Sequence, residues 1–455
     1  MAKFLRSAVA GLVMSLLAAA CGSAGGDNGA ADASTSSAVS PVSTTVAPPA
    51  ASEAGTTASP ATSVVSSTAP VSTTIAVRPS TTRSSSTPTT SRSGALELIE
   101  GPDGDAFYTP PSPLPPGQPG DLIWTQKIDN GPAGARSYRI LYHSRTVDGA
   151  DIAVSGTMVI PDGAAPAGGW TVVAYAHATV GVADKCAPSR TGVTVPSVAE
   201  VVKAGYVAVA TDYQGLGTPG PHPYLVGPSE GRNVLDAART AQVVPGANKQ
   251  VLIWGHSQGG QAAVWAGELA STYAPDLKVL GIVAAAPPAR VGPVLPLLAA
   301  IPVLQGFFVI GTYGLKAAYP ELDLAQVLTP EIMAELPRLE QDCVTSLVLA
   351  FAGSGIKALA KNPTDVPAFA ARIAAGEAGQ TRIPFPVLVE QGDTDILVPQ
   401  SLTRQYVTVA CGNGTPLAYK VYPGVDHSGV MNAAAADTFA FFAARTAGTP
   451  FTSTC

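Results

Sequence analysis

The sequence predicts an α/β fold: a mostly parallel central sheet flanked by helices, with a helical cap inserted into it. Three observations carry that prediction. Apolar runs of strand length alternate with helical patterns over 170–285 and again over 386–445, and such alternation builds a parallel sheet covered on both faces. One run, Val251-Leu252-Ile253-Trp254, ends in Gly255-His256-Ser257-Gln258-Gly259, a Gly-x-Ser-x-Gly turn that swings a strand into a helix with a serine at its apex. Between 287 and about 382 the alternation stops, and helical fragments broken by proline replace it.

The chain begins with segments that do not belong to that domain. Residues 1–20 place Lys3 and Arg6 before an apolar stretch that closes on Ala18-Ala19-Ala20-Cys21, the pattern of a secretory signal. Small residues directly before a cysteine resemble the lipobox of bacterial lipoproteins. Cys21 is therefore the expected lipidation site, and a membrane the expected partner through that anchor. Residues 21–104 are rich in Ser, Thr, Ala and Pro, with no aromatic residue between Phe4 and Phe107; they cannot bury a core and are expected to be a disordered tether. The folded domain is expected at 105–455. A net charge of -6 with no basic cluster argues against nucleic acid. The expected product is an exported monomer, membrane-anchored on the extracytoplasmic side or secreted.

Within 105–455, a Pro-rich stretch ending at Pro119 precedes strand-like runs at 137–146 and 151–160. Val147-Asp148-Gly149-Ala150 between them suggests a hairpin that turns on Asp-Gly. Trp170-Thr171-Val172-Val173-Ala174-Tyr175 is the next strand, followed by a helix at 197–204, a strand at 206–210 and a helix at 229–243. After the Ser257 turn, Ala262, Ala263, Trp265, Ala266 and Leu269 mark a helix that packs on the sheet. Strands are expected at 279–285, 386–390 and 418–422, with helices at 401–410 and 430–445. In the cap, 291–315 carries no charge, which is long enough for a membrane span. Pro293, Pro296 and Pro302 break it, so a buried or lipid-facing lid is expected instead.

The chemistry follows from the order of a few residues. A second match to the serine pattern, Gly227-Pro228-Ser229-Glu230-Gly231, lacks a preceding strand and reads as a helix start; Ser257 is the expected nucleophile. In an α/β-hydrolase fold the acid and then the histidine follow the serine along the chain. Of five histidines only His427 lies downstream of Ser257, in a glycine-bearing loop after a strand. The acid should lie in Gly392-Asp393-Thr394-Asp395-Ile396-Leu397-Val398-Pro399, where the Asp-x-x-Val-Pro spacing favours Asp395 and leaves Asp393 as a turn residue. Asp426 is next to His427, and neighbours in a turn point apart. His427 would take the Ser257 proton while Asp395 holds the imidazole tautomer.

A developing oxyanion needs two donors: the Gln258 N–H, and one near Thr179 in the loop His177-Ala178-Thr179-Val180-Gly181. No metal-ligand spacing occurs, so no metal or other cofactor is expected. Apart from Cys21, four cysteines remain, Cys186, Cys343, Cys411 and Cys455. An even count in an exported chain points to two disulfides, with three pairings open.

With these residues assembled, the chain resembles the secretory lipase family, the α/β-hydrolases that include fungal lipase A and exported bacterial members. The resemblance rests on Cys186-Ala187-Pro188-Ser189, Thr211-Asp212-Tyr213-Gln214-Gly215-Leu216-Gly217, Ser229-Glu230-Gly231-Arg232, 255–260, 392–399 and Asp426-His427. It implies a triad of Ser257, Asp395 and His427, a lid over an acyl-binding tunnel, and disulfides Cys186–Cys343 and Cys411–Cys455. It also implies structural roles for Asp212, Tyr213, Gln214 and His222. One departure stands in the oxyanion loop: relatives often carry His-Gly-Thr-Thr-Gly where this chain has His177-Ala178-Thr179-Val180-Gly181.

The function so predicted is an extracytoplasmic serine carboxylic-ester hydrolase, a lipase or esterase that acts through an acyl-enzyme on lipid or other apolar acyl esters. An acyltransferase that uses the same triad with an alcohol or sugar acceptor is the alternative. A non-catalytic tethered envelope lipoprotein is the third reading. Acyl length is set by the lid and is not legible in the sequence.

Overall fold

The computed structural model describes Leu96 and residues 98–455. The signal, Cys21 and nearly all of the expected tether lie outside the described residues. Among the described residues nine strands form one sheet in the order β1-β2-β3-β5-β4-β6-β7-β8-β9. β1 (Leu122–Ile128), β2 (Ala135–Arg145) and β3 (Asp151–Pro161) run antiparallel. The β2–β3 hairpin closes where Thr146 N–H bonds Ala150 O at 3.0 Å and Gly149 takes φ 92°. β3 also pairs antiparallel with β5 (Tyr206–Thr211).

From β5 onward the sheet is parallel through β4 (Trp170–Ala176), β6 (Ala247–His256), β7 (Lys278–Ala285), β8 (Val387–Gly392) and β9 (Leu417–Tyr422). Every residue of β4, β5 and β8 is buried, as strands covered on both faces must be. On one face lie α2 (Gly227–Thr240) and α3 (Gln258–Tyr273), whose Val234, Leu235, Ala262 and Ala263 join the sheet core. On the other lie α1 (Val198–Lys203) and α11 (Ala435–Thr446), which bring Val201, Phe441 and Phe442.

Three elements differ from expectation. β1 was not foreseen: its Leu-Ile-Trp-Thr-Gln-Lys-Ile mixes polarity, and a bulge between Leu122 and Trp124 breaks the alternation. α2 starts two residues early because Pro228 sits in its first turn, where a missing N–H costs nothing. The helix expected at 430–445 is two pieces, α10 (Val430–Ala433) and α11, whereas the one expected at 401–410 forms as α9 (Gln400–Gly412).

The cap leaves the sheet after β7 and returns at β8. Its helices are α4 (Val291–Ala300), α5 (Gln305–Ala318), α6 (Pro330–Glu335), α7 (Val344–Gly353) and α8 (Pro367–Ala375). They enclose a core of their own around Leu295, Phe308, Ile310, Leu347 and Phe369. The uncharged 291–315 run is split between α4 and α5 at Ile301-Pro302. Among the described residues no helix is long and apolar enough to cross a membrane. The two ends of the cap are tied together: Ala378 N–H bonds Ala289 O at 3.1 Å, Gly292 N–H bonds Glu377 Oε1 at 2.6 Å, and Arg290 pairs with Glu377.

Candidate active site

Ser257 stands between β6 and α3 with φ 56° and ψ -122°, a strained conformation for a residue with a side chain. The surrounding glycines explain how it is tolerated. A Cβ on Gly255 would lie 2.0 Å from Gly259 O, and one on Gly259 would lie 1.9 Å from Ala176 O. Only glycine lets α3 press against the end of β4 and hold the turn. Ser257 N–H bonds Ala285 O at 2.9 Å, which fixes the turn to β7 as well.

The loop after β9 brings His427 to this serine. Ser257 Oγ–H donates to His427 Nε2 at 2.8 Å, and His427 Nδ1–H donates to Asp395 Oδ2 at 2.7 Å. Asp395 sits in the loop after β8, where Leu397 N–H and Val398 N–H donate to its Oδ1 at 2.9 and 2.8 Å. Gln391 Nε2 donates to its Oδ2 at 3.0 Å. Burial would raise this carboxyl, but His427 and these donors hold it below the usual carboxylate range. All three side chains are buried. Such an array can move a proton from Ser257 to His427 and keep the resulting imidazolium paired.

The other carboxylates do different work. Asp393 Oδ1 accepts from Gly424 N–H at 2.6 Å, and Asp426 Oδ1 accepts from Gly429 N–H at 2.7 Å. Both shape the turns around the histidine. Ser229 is the third residue of α2, fully buried, with its Oγ donating to Gln214 Oε1 at 2.9 Å. No strand precedes it, so it has no elbow.

Gln258 is the first residue of α3, which places its N–H at a helix N-terminus beside Ser257. Its side chain is turned inward: Nε2 donates to Glu230 Oε1 at 2.7 Å and to His222 Nε2 at 3.0 Å. Burial pushes the Glu230 carboxyl up to about 8 and His222 down to about 3. His222 Nδ1–H donates to Gln214 O at 2.8 Å, so these residues brace the elbow helix.

Thr179 lies beyond β4 and lines one cavity with Ser257; its Oγ1 is 2.8 Å from the Tyr224 hydroxyl. His177 Nδ1–H donates to Ala178 O at 2.6 Å, and the Tyr213 hydroxyl donates to His177 O at 3.0 Å. Asp212 lies deeper, bonded to Ser155 and Ser189. The structure thus gathers Ser257, His427, Asp395, Gln258 and Thr179 at one place.

Sequence reasoning did not single out Tyr224 or the apolar lining that Val294, Leu298 and Phe307 supply from the cap. No sequence pattern marks them. Two disulfides, Cys186–Cys343 and Cys411–Cys455, complete the frame. The first ties Cys343, at the start of α7, to Cys186 in the turn that follows the Thr179 loop, beside a Val344 N–H bond to Val180 O at 2.9 Å.

The sheet order, the strained serine turn and the inserted cap define an α/β-hydrolase. Residues 183–454 match the model of the secretory lipase family, and the chain belongs to that family. It is 26% identical to lipase A of Moesziomyces aphidis over 370 residues, 72% of this chain and 77% of that one. It is 23% identical over 380 residues to a probable inactive lipase of Mycobacterium tuberculosis, 77% of this chain and 84% of that one. The X-ray structure of Candida antarctica lipase A in its closed state superposes with a TM-score of 0.68 at 23% identity, covering 77% of this chain and 87% of the other. The family and the two disulfides fit an exported hydrolase of the lipase and esterase class.

Proposed function

We propose that this protein is an extracytoplasmic serine carboxylic-ester hydrolase that acts through an acyl-enzyme on apolar acyl esters. The observation that carries the reading is the continuous hydrogen-bonded chain from Ser257 through His427 to Asp395. Ser257 Oγ attacks the acyl carbonyl as its proton passes to His427 Nε2, and the N–H of Gln258 with a donor near Thr179 receives the oxyanion. His427 returns the proton to the departing alcohol. Water then repeats the sequence on the acyl-enzyme, and the carboxylic acid leaves.

A relative named as a probable inactive lipase makes a direct test of the nucleophile the first experiment. The full chain should be labelled by a fluorophosphonate and should hydrolyse p-nitrophenyl esters, and Ser257→Ala should do neither. A folded wild-type chain that takes no label would sink the reading in favour of a non-catalytic tethered protein. Turnover that appears only with an added alcohol or sugar would make it a transferase.

The proposal extends to the N-terminal residues. Cys21, after three alanines, is the acylated residue that anchors a monomeric hydrolase to the membrane, with the Ser/Thr-rich segment as its tether. Mass spectrometry of the mature N-terminus tests this; an unmodified Cys21 thiol rules the anchor out.

A further inference from the structure

Beside the nucleophile turn lies an acid that the triad does not use. Glu230, on α2, is fully buried. Its Oε1 accepts from Gln258 Nε2 at 2.7 Å and from Leu225 N–H at 3.0 Å, while Gln261 Nε2 donates to Leu225 O at 3.2 Å. One carboxyl thus joins α2, the first turn of α3 and the loop that carries Tyr224, whose hydroxyl meets Thr179 Oγ1 at 2.8 Å. On the proposed mechanism the oxyanion falls to the N–H of Gln258 and a donor near Thr179, so Glu230 braces both sides of it. The two helices are pressed together here: a Cβ on Gly231 would lie 2.8 Å from Ala266 N.

Glu230 has no Lys or Arg partner among the described residues. His222 Nε2 lies 3.9 Å from Glu230 Oε1, yet it brings no charge. Its Nδ1–H is given to Gln214 O and its Nε2 accepts the second amide hydrogen of Gln258, which leaves no place for another proton. Arg232, two residues along α2, turns to Thr146 O and the Tyr273 ring instead. The nearby phenols of Tyr213 and Tyr224 are kept un-ionised by burial. Glu230 Oε2, Gln258 Oε1 and Gln261 Oε1 are buried acceptors that meet no donor among the described residues. Ionisation would add a bare charge to that set, whereas a proton on Oε2 makes it a donor. Burial in these surroundings raises the carboxyl to about 8.

We infer that Glu230 is a positioning residue for the oxyanion donors and serves only in its neutral form. Protonated, it holds Gln258 and the Tyr224 loop in place; ionised, it sets a negative charge one side chain away from the N–H that must receive the oxyanion. The inference rests on the ester-hydrolase reading above and adds a pH control to that same site. Like charges repel strongly in a dry interior, and the substrate carbonyl is uncharged. Ionisation of Glu230 therefore opposes the transition state rather than substrate binding.

The test is the pH profile of p-nitrophenyl butyrate hydrolysis by the full chain from pH 6.5 to 9, with Ser257→Ala as blank and circular dichroism at each pH. Wild-type kcat should fall roughly 10-fold between pH 7 and 9, the loss of the protonated form across one ionisation centred near 8, with KM little changed. Glu230→Ala should lower kcat roughly 10-fold at pH 7. Glu230→Gln, uncharged at every pH, should recover most of that loss and remove the alkaline fall; where the Ala variant does not fold, the Gln profile alone decides. Glu390→Gln, which removes another raised carboxyl, one held by Thr438, should keep the wild-type profile. A kcat that stays level to pH 9 in folded wild type overturns the inference, as does an alkaline fall that survives in Glu230→Gln or an undiminished kcat in folded Glu230→Ala. A fall abolished equally by Glu390→Gln assigns the limb to stability and overturns it too. A chain that neither takes a fluorophosphonate nor hydrolyses the ester at pH 7 is a different failure, that of the hydrolase reading, and removes the inference with it.

Discussion

His256 precedes the nucleophile, and its ring lies 4.9 Å from that of His427, centroid to centroid. Its Nε2–H donates to the His427 carbonyl at 2.8 Å. Burial pushes the His256 pKa down to about 3, with the nearby His427 adding to the effect, so it remains a neutral donor while the base beside it gains and loses a proton. On the proposed mechanism, this bond positions His427 as the base. His256→Phe should lower kcat roughly 10-fold with little change in KM, the size expected for a 1 Å-scale misplacement that is only partly corrected. His256→Gln, which keeps a donor, should recover part of the loss. Equal kcat for Phe and wild type would show that the His427 loop is held without this bond. Asp395→Asn, by contrast, keeps the shape but disturbs the tautomer, and should lower kcat by roughly 10⁴-fold in single-turnover measurements.

At the scale of elements, two contacts join the nucleophile helix and the cap to the sheet. Gly259 is the first: with Ala176 O only 1.9 Å from a Cβ, Gly259→Ala must push α3 away from β4. Loss of fluorophosphonate labelling in a protein that retains its circular dichroism is the expected result. The second is Cys186–Cys343, which closes a segment of 157 residues and pins α7 to the turn that follows the Thr179 loop. Cys343→Ser should cost about 2–5 kcal/mol in urea unfolding. On the proposed mechanism it should also lower kcat, because the loop it releases carries the expected second oxyanion donor near Thr179. An undisturbed kcat would place the oxyanion donors elsewhere.

For the whole molecule, the buried carboxyls set a pH dependence of stability. Burial raises Glu230 and Glu390 to about 8 and Glu268 to about 7. Each folded value lies above the unfolded one, so the folded chain holds more protons; the stability is full below the unfolded value and is lost as pH rises through the folded one. His222 and His256, held near 3 by burial, act in the opposite sense below their ordinary 6.5. The two effects oppose one another between about pH 4.5 and 6.5 and leave the carboxyls alone above it. The free energy of unfolding should therefore fall as pH rises from 6.5 to 8.5, by about 1.4 kcal/mol per pH unit for each extra proton the folded chain holds, and Tm should fall with it. Glu390 is held by Thr438 Oγ1 at 3.0 Å and is remote in role from Ser257. Glu390→Gln should flatten that limb; an unaltered slope in a melting series would assign it to other groups.

Much of this was legible in the chain. The order of strands and helices follows from apolar period, and Ser257 from a glycine-flanked turn after an apolar strand. His427 follows from being the only histidine downstream, and Asp395 from its place after β8. These are local patterns, and local sterics write them into the sequence. The lining by Val294, Leu298 and Phe307 was not legible, nor the pairing of His256 with the His427 carbonyl, nor the seating of α5 on the Tyr224 loop. The cap residues read only as apolar helix, because packing in the cap core and lining the cavity beside Ser257 demand the same side chains. β1 was hidden by its mixed polarity at the edge of the sheet. By itself the sequence determined the fold class and the order of the elements, and it singled out Ser257, Asp395 and His427 as the candidate site. Only the tertiary structure decided how much room lies beside it, since a cavity is the space left between segments far apart in the chain, and no single segment encodes its size.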